Sequence, residues 1–383
     1  MIYMNQNNLW QKWLGKPSPS LSEAQKHLAN ILTAFDIVFS KDWKIRTAIE
    51  KSISAIQQDS TQLLKWEKFR QVFLSEEGLT AFEEPFPDEY FDFVPKEMLC
   101  LLTALSIFPN GEENYRRRNI PVGKFHESLQ DLRNGLRDYV NRNNTPGLSY
   151  DNFAWFALRL VPGHVLRFGR LEFNRCLFFP DILVFRNINT KELRIMLNAA
   201  YPVNANGHRC VAGEQPSFCT SIPFGFFGEY TGHLINADGC ILREKHTLWM
   251  DEWECILSPG VPVWGMHIPS DGPLLPELVN ESFVLLRSYD PTLRAVICGS
   301  WLFDPVLPKL LPFSSNLVKF QKIGHLLPGL DELDTGIERV FGNSDYHAVT
   351  WKTMLQKAMG RYLDNGGLLR NGRIVIPFGK PLI

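Results

Sequence analysis

Residues 141–147, Asn-Arg-Asn-Asn-Thr-Pro-Gly, separate two stretches of chain with different hydrophobic periods, and one uniform architecture cannot accommodate both. Ahead of them, apolar residues recur every three or four positions, as one face of a helix requires. Leu28, Ile31, Leu32, Phe35, Val38 and Phe39 form one such stripe, and Ile45, Ile49, Ile53 and Ile56 a second. Residues 98–108 are almost wholly apolar, the pattern of a buried helix, and Phe125, Leu129, Leu132, Leu136 and Val140 form a further stripe. Asn, Pro and Gly then interrupt helical hydrogen bonding. The expectation is an all-helical domain over 1–145 and a mixed α/β domain over 146–383, an α+β chain.

One more helical stretch, 150–161, runs into Pro162-Gly163. Strand-like runs follow at 165–173, 176–185, 193–197, 239–243 and 253–257, some separated by turn signals such as Asn236-Ala-Asp-Gly239. Residues 200–232 are rich in Gly, Pro, Asn and Ser without periodicity, which marks a binding loop or concealed short elements. Residues 261–268, 294–302 and 316–323 read as strands and 275–289 as an amphipathic helix. Strand, helix, strand implies a crossover and parallel pairing. A late helix over 350–363 stops at Asn365-Gly366-Gly367, and 373–378 closes the chain as a strand.

Composition excludes several function classes. The 383 residues carry a formal net charge of −1, so no global field favours nucleic acid or an anionic membrane surface. Seven cysteines without a CxxC pair, a first segment lacking a basic-then-apolar leader, and no run near the roughly 20 apolar residues of a membrane helix lead us to expect a soluble cytoplasmic protein. There is no GxGxxG after a strand, no GxxxxGK[ST], no HExxH and no GxSxG, which removes the sequence support for dinucleotide, P-loop, zincin and α/β-hydrolase chemistry.

The most suggestive segment is Val263-Trp-Gly-Met-His-Ile-Pro-Ser-Asp-Gly-Pro-Leu274, with a helix behind it. A strand, a short loop and a helix N-terminus present unpaired N–H groups and the positive dipole end, where a pyrophosphate can bind. Pro276 and Glu277 suit the first turn, although Leu275 stands where a polar cap is usual. A plain strand–helix connection carries the same pattern.

Three blocks carry a resemblance: Val165-Leu-Arg-Phe-Gly-Arg-Leu-Glu-Phe-Asn174, Gly265-Met-His-Ile-Pro-Ser-Asp-Gly-Pro-Leu274, and Cys298-Gly-Ser-Trp-Leu-Phe-Asp-Pro305 followed by Ser315-Asn316. Together, over roughly residues 100 to 325, they resemble the acyltransferase family that joins a helical N-terminal domain to a GNAT-like C-terminal domain. The resemblance implies acyl-CoA as co-substrate, no metal, and direct transfer of the acyl group to a small-molecule or peptide amine. In that fold one strand diverges from its neighbour and opens a slot for the pantetheine arm. Here the slot strand would be 263–268, with Met266 and Ile268 against the arm, and the partner strand 295–302. Ser270, Asp271 and Gly272, with Leu274 behind them, would face the pyrophosphate. Asp271 departs from the family's glycine-rich, basic loop, so either its carboxylate points away, or it caps the loop, or the cofactor sits differently.

His267 is the expected base and Glu172 the expected carboxylate. Cys298 and Ser300, and more remotely Tyr346, stand in for the family's tyrosine acid. His267 could equally be a hydrogen-bonded core histidine, and Glu172 a partner of Arg167 or Arg170 across a strand. The same fold without chemistry would be a ligand-binding or protein-interaction module, and a hydrolase using Cys298 or Ser300 lacks a visible nucleophile elbow. His208, Cys210, Cys219, His233, Cys240 and His246 match no zinc spacing, and Arg116-Arg117-Arg118 reads as a solvated face or a phosphate contact.

Overall fold

The fold is described from a computed structural model over residues 17, 19–39, 42–75, 93–211, 213–226, 228–330 and 335–378. The first 13 residues, read above for a leader, lie outside that range. The chain is α+β: the described residues between 21 and 160 are mainly helical, and a mixed-sheet region follows.

The helices are α1 (Leu21–Phe39), α2 (Trp43–Gln57), α3 (Ser60–Leu74), α4 (Lys96–Ser106), α5 (Phe108–Arg117), α6 (Val122–Asn143) and α7 (Tyr150–Trp155). Each stripe read from the sequence is buried: Leu28, Ile31 and Phe35 on α1, Ile49 and Ile56 on α2, Phe125 and Leu129 on α6. Asp42 and Asp59 cap α2 and α3 by accepting backbone N–H bonds. The pattern disclosed neither α5 nor α3. α3 is buried on several sides, and its interior includes Glu67, which accepts from Arg70 at 3.1 Å and meets His27 at 3.0 Å. An ion pair inside a helix face erases the apolar stripe.

The chain divides into two compact units, Met1–Glu172 with Pro269–Asp271, and Phe173–Ile268 with Gly272–Ile383. β1 (Val165–Phe168) turns at Gly169, φ 62°, into β2 (Leu171–Leu177). The run 165–173, expected as one strand, is therefore a tight hairpin, because Gly169-Arg170 supplies the turn. The run 176–185 is likewise two elements. β2 ends at Leu177, and β3 (Ile182–Asn187) begins after Pro180 and Asp181.

In the second unit, β2, β11 (Pro262–His267), β12 (Ala295–Ser300), β14 (Asn371–Pro377) and β13 (His325–Leu330) lie in that order in one sheet. A second sheet runs β10 (Trp253–Leu257), β3, β4 (Leu193–Leu197), β8 (Glu229–Ile235) and β7 (Phe224–Phe226), with β9 (Ile241–Trp249) on β8. The 200–232 stretch conceals β7, the start of β8 and a two-residue pair, β5 (Pro202–Val203) with β6 (Phe218–Cys219). Phe178, Ile182, Val184 and Ile195 pack with Val263, Ala295, Ile297 and Val375, so residues from the two sheets share a core. Arg373 closes it with a bidentate pair to Asp181 at 2.7 and 2.8 Å.

Helix α8 (Pro276–Tyr289) carries the chain from β11 to β12, which pair in parallel as the crossover implied. After it come α9 (Leu307–Leu310), α10 (Asn316–Gln321), α11 (Thr335–Phe341) and α12 (Met354–Asp364). Residues 316–323 are thus a short helix, Asn316–Gln321, and a turn, not the strand expected. Buried Val318 and Phe320 flanking exposed Lys319 imitate a period of two in one short helical turn.

Gly111 of α5 lies under the Phe125 ring, where an added Cβ would stand 2.2 Å from the ring. Gly123 of α6 has nothing within 4 Å of that position. In urea unfolding, Gly111→Ala should lose about 1–3 kcal/mol of stability, while Gly123→Ala should be neutral or gain up to about 1 kcal/mol. Equal effects would contradict this packing.

Candidate active site

Strand β12 is paired unequally on its two edges. All six residues, Ala295 to Ser300, pair with β14, but only Val296 and Ile297 pair with β11, opposite Trp264 and Gly265. Beyond that point Met266 and His267 extend β11 with no partner in the β12 ladder. The opening is at the carboxyl ends of two parallel strands, where open α/β sheets bind ligands. The chain then leads through Gly272, φ 127°, to α8. Leu275 gives that helix no side-chain cap, and Pro276 occupies its first turn. The first helical bond is from Val279 N–H to Leu275 O at 3.0 Å, so the Glu277 and Leu278 N–H groups precede the ladder. Beside this end runs a groove of about 230 Å³ walled by Leu274, Pro276, Val279, Phe283 and Phe320, with Lys319 at its edge.

His267 is placed by a neighbour the sequence reading did not single out. Its Nε2 lies 2.8 Å from Asn174 Oδ1. Asn174 Nδ2 donates to Arg175 O at 3.1 Å, which orients the amide and makes its oxygen the acceptor. In a neutral ring this contact places the proton on Nε2. Gly265 makes the approach possible, since a Cβ there would fall 2.7 Å from Asn174 Oδ1 and 3.3 Å from Cys176 Sγ. Asn174 and His267 are 93 residues apart, and only the β2–β11 register joins them.

Glu172 lies in a different environment, a buried ionic cluster within the first unit. Arg167 donates to Asp131 at 2.9 Å, lies 3.8 Å from Glu172 and bonds Asp271. Arg170 meets Asp271 at 2.6 Å, and Trp155 Nε1–H donates to Glu172 at 3.4 Å. The Glu172 side chain is 1% exposed. Burial, then the Asp131 carboxylate, pushes its carboxyl well above the usual range, and Asp131 is raised by burial too. With the proton on Glu172 and shared towards Asp131, two guanidinium charges face the two carboxylates of Asp131 and Asp271. Asp271, the anomaly of the loop, is neutralised by Arg167 and Arg170.

The other residues named from the sequence are spread over this region. Met266 is buried and Leu274 lines the groove, while Ile268 is half-buried and Ser270 and Gly272 are exposed. Burial pushes the Cys298 thiol up to about 12, so it stays protonated at neutral pH. Ser300 Oγ accepts the Leu302 N–H at 3.2 Å, capping the turn Trp301–Phe303 while keeping its own proton to donate. Tyr346 donates to Asp364 at 3.2 Å. Among the Cys/His stretch, His233 Nδ1 bonds Leu242 O at 3.0 Å. No group of three or more His, Cys, Asp or Glu among the described residues is arranged to hold a metal. No helix among them is long and apolar enough to cross a membrane.

A family model described as the GNAT-like C-terminal domain matches residues 165–375. No curated protein matches the sequence. Among solved structures, an acyltransferase in complex with decanoyl-CoA is 18% identical at a TM-score of 0.53, over 98% of this chain and 96% of that one. An acyltransferase variant in complex with octanoyl-CoA gives 15% and 0.54, over 95% and 90%. An acyltransferase in complex with CoA and 10C-teicoplanin gives 14% and 0.53, over 95% and 91%. At these identities the likeness is one of fold.

The cluster has a pH signature. Glu172 keeps its proton in the folded protein where an exposed glutamate, near 4.5, has lost it, so the folded state binds more protons than the unfolded. Its contribution therefore falls as pH rises from that value through the raised folded one. Glu172→Gln should remove this slope, at most about 1.4 kcal/mol per pH unit for one proton, and keep stability at pH 7–8. Denaturant unfolding across pH 4–8 with an unchanged slope would refute a protonated Glu172.

Proposed function

The chain belongs to the GNAT-like C-terminal domain family, and from that premise we propose that it is an acyl-CoA-dependent N-acyltransferase passing the acyl group directly from the thioester to an amine. The observation that carries the reading is the early end of the β11–β12 ladder, at Gly265 and Ile297, directly before the uncapped α8 N-terminus. An unpaired strand edge offers amide groups to the pantetheine arm, and the Glu277 and Leu278 N–H groups with the helix dipole suit a pyrophosphate. Similar structures that hold CoA or acyl-CoA support this assignment. Two of them also hold teicoplanin-type ligands, which supports a small-molecule amine as acceptor.

In the reaction we propose, His267 Nδ1 takes a proton from the acceptor ammonium, and Asn174 fixes the ring in the tautomer that leaves this nitrogen basic. The free amine attacks the thioester carbonyl, the C–N bond forms, and the C–S bond breaks. A backbone N–H of the β11 edge near Met266 stabilises the oxyanion. Bond formation leaves a surplus proton on the attacking nitrogen, and this proton passes through the Ser300 hydroxyl to the departing thiolate, so the hydroxyl is restored. Cys298, held as a thiol by burial, can donate a hydrogen bond without losing its proton. Ser270, Asp271 and Gly272 form the loop at the phosphates, and Asp271 is compatible with that role because Arg167 and Arg170 neutralise it. Glu172 then serves to balance that cluster, and His267 is the base.

CoA or an acyl-CoA should raise the thermal midpoint, since a ligand bound only by the native state adds about 2.7 kcal/mol at a hundredfold excess over Kd. Gly272→Trp should abolish the shift, because φ 127° favours glycine there and a bulky side chain in the loop would block the cofactor. His267→Ala should keep the shift and lower kcat about 10²–10⁴-fold with a competent amine, and Asn174→Ala should lower kcat less. A folded protein with no CoA-dependent shift would overturn the assignment. A shift without acyl transfer or thioester hydrolysis over a broad amine panel would leave a binding module.

A further inference from the structure

The helical unit contains a cavity that the transferase reading does not use. Its volume is about 730 Å³, within the roughly 300–1,000 Å³ of small-molecule sites. One side is apolar, formed by Phe73 and Leu74 at the end of α3 and by Ala157, Leu158 and Val161. The other is basic, with Arg117 and Arg118 at the end of α5, and His164, held towards its neutral form by burial and by Arg118, also lines the cavity. No acidic residue lines it among the described residues.

Helical geometry divides the three consecutive arginines. Arg116 turns back along α5 to Glu112 at 3.0 Å and Glu113 at 3.9 Å, so its charge is matched. Arg118 donates to Pro162 O at 2.8 Å and Asn114 to Val161 O at 3.2 Å, which clamps the wall segment against α5. Arg117 makes no hydrogen bond or ion pair among the described residues and stands at the cavity.

The apolar wall is backbone of a rare kind. Phe156–Leu160 is a π-helical turn, with Val161 N–H bonding Phe156 O at 2.9 Å and His164 N–H bonding Arg159 O at 2.9 Å. Such turns are less favourable than α-helix and occur frequently at functional sites. Here the widened turn brings Ala157 and Leu158 to the cavity.

We propose that this cavity binds an amphipathic carboxylate, its head between Arg117 and Arg118 and its tail against Leu74, Leu158 and Val161. A guanidinium pair selects a planar anion, and the clamped wall holds the site in shape before the ligand arrives. The site lies within the helical unit and does not rest on the transferase reading.

The test uses the full chain and sodium decanoate as probe, followed by calorimetric titration. One molar equivalent should bind saturably, and decanol, lacking the charge, and acetate, lacking the tail, should each bind about tenfold or more weakly. Arg117→Glu, at an exposed position outside the helix packing, should weaken decanoate about tenfold or more, and Leu74→Asp should do the same from the apolar side. Folding of each variant is checked by circular dichroism. No saturable binding to the folded wild type would overturn the proposal. Binding that both variants leave unchanged would place decanoate elsewhere and overturn it equally.

Discussion

Arg167 is the residue on which the first unit's arrangement depends. Its guanidinium joins Asp131 of α6, Glu172 at the start of β2 and Asp271 of the loop after β11, across sequence separations of 36 and 104 residues. A buried guanidinium must find fixed acceptors, because leaving one unpaired costs several kcal/mol. The cluster therefore specifies where the β1–β2 hairpin and the 269–271 loop meet the helices, and a protonated Glu172 keeps its charge balanced. That balance also makes an acidic residue tolerable in a loop we assign to phosphates.

The second unit uses a different constraint, the asymmetry of β12. Six pairs with β14 hold that strand firmly, while two pairs with β11 leave the other edge unsatisfied beyond Gly265 and Ile297. Unpaired strand edges are a liability unless something covers or uses them. The same short stretch of β11 carries His267, set by Asn174 through the gap that Gly265 leaves. In the proposed reaction, binding edge and base come from consecutive residues of one strand, which makes their geometry a property of the sheet and not of a loop.

Much of this was legible in the sequence. The helical stripes and the strand–loop–helix–strand order from β11 to β12 follow from period and turn chemistry alone, while the 141–147 break falls between α6 and α7. The failures have physical causes. α3 was hidden because Glu67 and Arg70 neutralise each other inside its buried face. α10 imitated a strand because its two buried apolar residues, Val318 and Phe320, are spaced by two. Among the candidate residues, intrinsic chemistry singled out His267, and an improbable place in an apolar run singled out Glu172, which stands in the ionic cluster beside Arg167. Asn174 and Asp131 were not legible, since a polar residue's partner across 93 or 36 positions depends on register and helix docking. Gly265 reads as a glycine in a strand until the Asn174 side chain is seen filling the space a Cβ would take.

The most direct measurement is a crystal structure with a non-hydrolysable acyl-CoA thioether. The account places the pantetheine arm against the β11 edge at Met266 and His267, past the last pair with β12, with the pyrophosphate at the Glu277 and Leu278 N–H groups. A thioether bound with full occupancy elsewhere, with the β11–β12 opening empty, would contradict it.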